Sequence, residues 1–197
     1  MGAMKRSKIQ GSVVSLASAI EIVATCLIES ASTLVFTGAG LSVESGVPSF
    51  QGAEGLWTRY GTPSPDSYRY FLEDPAMYWR RQIENVRTEG YVAELRKAID
   101  LAVPNAGHDA LATLERHGLI DAVITQNIDG LHQLTGHPEE KVIELHGTNR
   151  KVECVACQKN FEPDPFFEQF GETGEPPLCQ CGGFLKPATI SFGQAMP

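Results

Sequence analysis

Apolar positions along this chain keep two periods, and the switch between them marks out its elements. Between residues 12 and 30, Val13, Leu16, Ala17, Ile20, Val23, Ala24 and Leu27 recur at helical spacing. Thr33 to Thr37 is a short β-branched run that predicts a strand. Residues 53–67 are rich in Gly, Pro and Ser and predict a loop. From about Asp66 to Leu101 the pattern is helical again, with Pro75 in the first turn of its helix, where a missing N–H costs nothing. Past Pro104-Asn105 an amphipathic helix runs to a closing Gly118. "IDAVITQN" (120–127) and "KVIELHG" (141–147) read as buried strands that end in polar residues. This alternation of helix and strand predicts an α/β fold with a parallel sheet and helices on both faces. Residues 151–187 break the pattern with cysteines, prolines and acids, and "ATISFGQ" (188–194) then returns as a strand.

Length changes little: 197 residues can bury a good core as one domain, or as one domain with an added module. Met4 reads as the natural start, with Met1 to Ala3 an expression remnant. No secretory signal is visible, so the expected compartment is reducing and cytoplasmic, or nuclear in a eukaryote. No apolar run approaches the roughly 20 residues needed to span a bilayer, so a membrane partner is not expected. The net charge of −8 argues against nucleic acid and suits a basic peptide.

The five cysteines change the picture more. Cys26 stands alone in a helical pattern and reads as a small buried hydrophobe. Cys154 and Cys157 form a C-x2-C pair, and after 21 intervening residues Cys179 and Cys181 form a C-x-C pair. Two close thiol pairs are what a tetrahedral zinc ion requires, with sulfurs converging at ~2.3 Å. Disulfides or free thiols are the alternatives, and a reducing compartment favours zinc. Four thiolates would leave no open position, so the site reads as structural.

Three strand ends carry candidate chemistry. After Thr37 the chain breaks into Gly38-Ala39-Gly40, where glycines permit a sharp turn and the approach of a phosphate to bare backbone. The dehydrogenase fingerprint needs a third glycine where Val43 stands, and an acid near residue 60, so a plain dehydrogenase is not expected. "TQNIDGLH" places Gln126, Asn127 and Asp129 past a strand end, where ligands of open α/β sheets bind; local capping is the alternative. "ELHGT" places His146 at the next strand end, again with a structural alternative. His108, His117, His132 and His137 read as structural.

Together these parts resemble the sirtuins, the NAD-dependent protein deacylases. The resemblance rests on Gly38-Ala39-Gly40, Ser42, Ser45-Gly46, Pro48, Phe50, Gln126-Asn127-Ile128-Asp129, His146-Gly147, the four cysteines and "LKPATISFG" (185–193), and it covers the chain from about residue 12. It implies a Rossmann-like doubly wound sheet, incomplete at the C-terminus, with a small helical module and an inserted zinc-binding module. The implied division is 1–55 for the start of the NAD-binding domain, 56–104 for the cofactor loop and helices, 105–150 for that domain continued, 151–187 for the zinc module, and 188–197 for a return strand and substrate loop. Gly38, Ala39, Gly40, Ser42, Phe50, Gln51, Gln126, Asn127, Ile128 and Asp129 would bind NAD, with Asp129 receiving the carboxamide. His146 and Asn127 would be catalytic: the acyl-lysine oxygen displaces nicotinamide, and His146 helps deprotonate the ribose hydroxyl that attacks next. Ile190, Phe192 and Gly193 would pair with the backbone of an acetyl-lysine peptide.

The chain departs from the family pattern in two ways. Gln51 stands where an arginine is usual, which removes a cation near the cofactor. The family also continues past Phe192-Gly193-Gln194, so this chain reads as lacking the C-terminal part, and little activity is expected of it alone. Gln82 and Asn85 fall where the succinyl- and malonyl-removing branch carries Tyr and Arg, so an uncharged acyl group is expected. The alternative functions are an NAD glycohydrolase or ADP-ribosyltransferase, and a catalytically inactive zinc-stapled interaction module.

Overall fold

The computed structural model describes residues 15–87 and 89–197. The reading of Met4 as the start, and Val13 as the first apolar position of the first helix, lie outside the described residues.

That helix, α1 (Leu16–Glu29), is capped by Ser15, whose side chain accepts a hydrogen bond from the Ser18 N–H. Its apolar face is not covered: among the described residues nothing buries any position of α1, and Leu16 is 78% exposed. Cys26 is therefore exposed as well, contrary to expectation. Helical periodicity reports which residues share a face, not what covers that face.

The first sheet is parallel with order β1-β2-β3: β1 (Leu34–Thr37), β2 (Ala122–Thr125) and β3 (Val142–Glu144). Register pairs Thr37 with Thr125 and Thr125 with Glu144, which aligns the three carboxyl ends. Between β1 and β2 lie α2 (Ala39–Ser42), α3 (Leu56–Tyr60), α4 (Ser67–Glu73), α5 (Pro75–Arg87), α6 (Tyr91–Leu101) and α7 (Ala106–Arg116). The loop expected over 53–67 holds α3, a helix too short for periodicity to register. Tertiary contacts secure it, because Arg59 reaches both carboxylate oxygens of Glu94 on α6, at 2.9 and 2.5 Å, and the Tyr60 hydroxyl adds a third bond. Beyond β2, the short α8 (Leu131–Leu134) precedes β3, where Lys141 pairs with Glu115 of α7.

A second sheet is antiparallel, with β4 (Gly147–Cys154) between β5 (Asn160–Phe161) and β6 (Leu185–Thr189); α9 (Asp164–Thr173) lies between β5 and β6 in the chain. The strand expected over 188–194 in fact begins at Leu185 and ends at Thr189. It joins this smaller sheet, with Leu185 opposite Cys154 and Pro187 opposite Val152.

The main core joins the helices to the smaller sheet. Trp79 of α5 is fully buried with Val152, Cys154, Phe170, Cys179 and Leu185. Its indole N–H donates to the Leu185 carbonyl at 2.8 Å, and Phe167 meets its ring edge-on. Trp79→Ala should therefore cost about 3–5 kcal/mol. Denaturant unfolding should show α5 and the cysteine-bearing segment loosening in the same transition.

Candidate functional site

The segments that follow β1 and β2 are tied together by buried polar groups. Ser42, Asn127 and Asp129 are 0%, 7% and 3% exposed. The Asn127 amide donates to the Gly38 carbonyl at 3.1 Å and to Ser42 Oγ at 3.0 Å, while Ser42 Oγ–H donates to Asp129 Oδ2 at 2.7 Å. Asp129 Oδ1 accepts from the Leu131 N–H at 3.0 Å. Asn127 and Asp129 thus shape the loop after β1, and the carboxylate keeps spare lone pairs for a further donor. The Gln126 side chain is exposed and Ile128 half-buried.

Gly38 and Gly40 do not act as turn glycines. Neither has positive φ, and Gly38 is extended at −148°. Among the described residues, nothing beyond the chain neighbours lies within 4 Å of where a Cβ would stand at either position, so bare backbone faces open space here. The turn is made further on, at Gly46 and Gly52, with φ of +88° and +96°. Ala39 is half-buried at the start of α2.

His146 lies exposed between β3 and β4. Its Nδ1 is 2.9 Å from the Gln126 carbonyl, which can only accept, so Nδ1 carries a proton and donates. The Ile190 N–H donates to the His146 carbonyl at 2.7 Å, placing the segment after β6 beside the histidine. Gly147 makes that approach possible: it has φ of +68°, and a Cβ there would stand 1.9 Å from the Ala188 carbonyl oxygen.

Aromatic rings link the loop after β1 to residues 190–193. Trp57 lies 5.2 Å from Phe50 and 5.9 Å from Phe192, ring centre to ring centre. The Tyr68 N–H donates to the Phe192 carbonyl, and Gly193 abuts Pro65. Tyr78, hydrogen-bonded to Ser191 and Gln82, has its pKa pushed up to about 12 by burial. Gln51 is exposed on the same loop.

The four cysteine sulfurs lie within 4.8 Å of one another, with Cys154 and Cys181 3.5 Å apart and Cys157 and Cys179 3.7 Å apart. Sulfurs bound to one zinc at about 2.3 Å make a tetrahedron with edges of about 3.8 Å, so the set fits that ion.

Behind the strand ends, His108, His132 and His137 stack edge to face, with ring centres 5.2 and 5.5 Å apart. All are buried, and His132 Nε2 shares a hydrogen bond with Thr37 Oγ1 at 3.0 Å. Among the described residues, His108 Nε2, His132 Nδ1 and both nitrogens of His137 find no hydrogen-bond partner. Burial lowers all three pKa values, that of His132 to about 4.

Sequence reasoning passed over two residues that hold this site. Asn105 donates to the Leu41 carbonyl at 2.7 Å and Ser45 Oγ at 2.9 Å while capping α7, a role its place after Pro104 could have suggested. Arg150 Nε donates to the Asp129 carbonyl at 2.6 Å, and no local pattern signals that contact.

The sequence profile of the Sir2 family matches residues 38–197. An NAD-dependent protein deacetylase of Sulfurisphaera tokodaii is 44% identical over 85% of this chain and 62% of its own length. One of Saccharolobus solfataricus is 41% identical over 88% and 65%. The chain thus spans 62 to 65% of the length of these curated relatives. A Sir2 structure with a p53 peptide and NAD+ superposes with a TM-score of 0.66 and 35% identity, over 90% of this chain and 66% of that one. Sir2Tm bound to a propionylated peptide gives 0.64 and 33%, over 90% and 66%.

Zinc should be found near one equivalent per chain, and chelation should unfold the β4–β6 region, because structural zinc contributes roughly 10 kcal/mol or more in such sites. A folded, metal-free protein by elemental analysis would contradict this. The buried histidines make a separate expectation. Their depressed pKa values mean that the unfolded chain binds more protons below its ordinary value of 6.5. Their contribution is complete above 6.5 and is lost as pH falls towards about 4, the His132 value. His137→Phe should flatten this acid slope in denaturation midpoints measured between those limits, with stability at neutral pH maintained.

Proposed function

Because the chain belongs to the Sir2 family, we propose that it carries the nicotinamide side and the peptide side of an NAD-dependent protein-lysine deacetylase. The observation that carries this reading is the convergence of His146, the polar segments after β1 and β2, and residues 189–193 at the carboxyl end of the parallel sheet.

NAD, when bound, would supply a glycosidic bond to nicotinamide whose cleavage leaves ADP-ribose as the acyl acceptor. The open backbone at Gly38 to Gly40 suits a diphosphate, since no side chain intrudes there. Asn127, Ser42 and Asp129 would hold that loop in shape around the nicotinamide end, and Gln126 and Ile128 would line its mouth. Phe50, backed by Trp57, would exclude water from the reacting face. His146, with Nδ1–H held by Gln126, would take a proton at Nε2. Gln51, exposed beside Phe50, would contribute a neutral contact where an arginine is usual.

Residues Ile190, Phe192 and Gly193 would add the peptide backbone as a further strand. The side chains near this segment favour an uncharged acyl group, because Gln82, beside Tyr78 and Ser191, offers no cation to a carboxylate. The partner is therefore an acetylated lysine in an extended peptide.

Nicotinamide release should depend on acetyl-lysine peptide. Release without peptide would instead indicate a glycohydrolase, and no release in either condition from a chain as long as the curated relatives would indicate an interaction module. His146→Ala should lower peptide-dependent turnover by roughly 10²- to 10⁴-fold while leaving the circular dichroism spectrum unchanged.

A further inference from the structure

Lys186 is the most unexpected side chain in the fold. It is fully buried, although lysine is almost never placed so without a partner. Its ammonium donates to two backbone carbonyls of its own strand, Pro187 at 2.8 Å and Thr189 at 2.6 Å. Burial pushes its pKa down to about 8, opposed by Glu153 across the strand pair. A cost of that kind calls for a geometric reason.

The reason lies in the pairing of β4 with β6. Gly147 lies opposite Thr189 and Val152 opposite Pro187. Residues 148–151 of β4 therefore occupy an interval that Ala188 alone occupies on β6. These bulged residues serve a different partner, since the Asn149 N–H donates to the Ile128 carbonyl and Arg150 Nε to that of Asp129. The bulge reaches the loop after β2 and leaves a gap in the ladder to β6. Lys186 Nζ bridges the two ends of that gap. Directly beyond it, the Ile190 N–H bonds to the His146 carbonyl.

We propose that Lys186 is a positioning residue for the peptide-pairing segment: its ammonium ties together the two β6 carbonyls that flank the stretch left unpaired by the β4 bulge, and so keeps that stretch in the shape that presents Ile190 to the His146 carbonyl. A bulge lets one strand serve two partners, but it removes the bonds that would stiffen the other strand. A charge-assisted tie to both flanking carbonyls restores that stiffness without changing the register. An apolar side chain of equal length would fill the same space and leave both carbonyls unbridged. The inference rests on the reading of 189–193 as the peptide-pairing segment. The tie itself can be measured without that reading.

The test compares the full chain with Lys186→Met and Lys186→Arg. In Lys186→Met the Ile190 amide should exchange at least 10-fold faster, while the Val152 amide, on the same sheet beyond the gap, keeps its protection. Affinity for an acetyl-lysine peptide should fall by a similar factor, with zinc content unchanged. Lys186→Arg, which keeps donors for both carbonyls, should recover most of the loss. Unchanged Ile190 exchange in folded Lys186→Met would overturn the proposal, whatever the peptide does. If Lys186→Met does not fold, the Lys186 15Nζ resonance of the wild-type chain decides. It should shift on saturation with acetylated peptide, and a fixed resonance would overturn the proposal. A wild-type chain that binds no acetylated peptide would count against the proposed function instead, and the Ile190 exchange would still judge the tie.

Discussion

The segments after β1 and β2 form one surface at the carboxyl end of the parallel sheet because a buried polar network fastens them together. Ser42, Asn127 and Asp129 come from two loops far apart in sequence, and each satisfies another away from water. Buried polar groups left unpaired cost about 1–3 kcal/mol each, so neither loop can take this shape unless the other does. Asn105 supports the network from the start of α7, and Arg150 from the β4 bulge. The position of the Gly38 backbone follows from it, through the Asn127 amide.

A second constraint operates in the core around Trp79. Cys154 and Cys179 belong both to the tetrathiolate set and to the core around Trp79. Helix α5 and the cysteine-bearing sheet are therefore one packing unit, and the Trp79 bond to Leu185 fixes the start of β6. From that fixed start β6 runs past the bulge to His146. The metal site so linked to the proposed catalytic edge lies within a structural core, and its four sulfurs provide no open coordination position.

The two groups of histidines show how environment separates identical side chains. His146 is exposed, with its Nδ1 held by the Gln126 carbonyl. His108, His132 and His137 are enclosed, and desolvation favours their neutral form. They pack as aromatic rings behind Thr37, and their unpartnered nitrogens make this part of the core sensitive to acid.

The amino-acid sequence by itself determined the alternation of helix and strand, the parallel sheet, the four-cysteine set and the family. Each of these is written in local periods or in spacings that folding does not alter. Tertiary structure alone decided what each element touches. Helix α1 has an apolar face that nothing described covers, so Cys26 is exposed. The five-residue α3 depends on Glu94, 34 or 35 residues away from the side chains it holds. The last strand joins the smaller sheet because Leu185 meets Cys154 and Trp79, a choice its own residues do not encode. A side chain's period records which neighbours share its face, whereas pairing partners, bulges and buried polar bonds depend on segments brought together only when the chain folds. Lys186 is the clearest case: in sequence it is one lysine beside a proline, and only the gap opened by β4 gives its ammonium two carbonyls to hold.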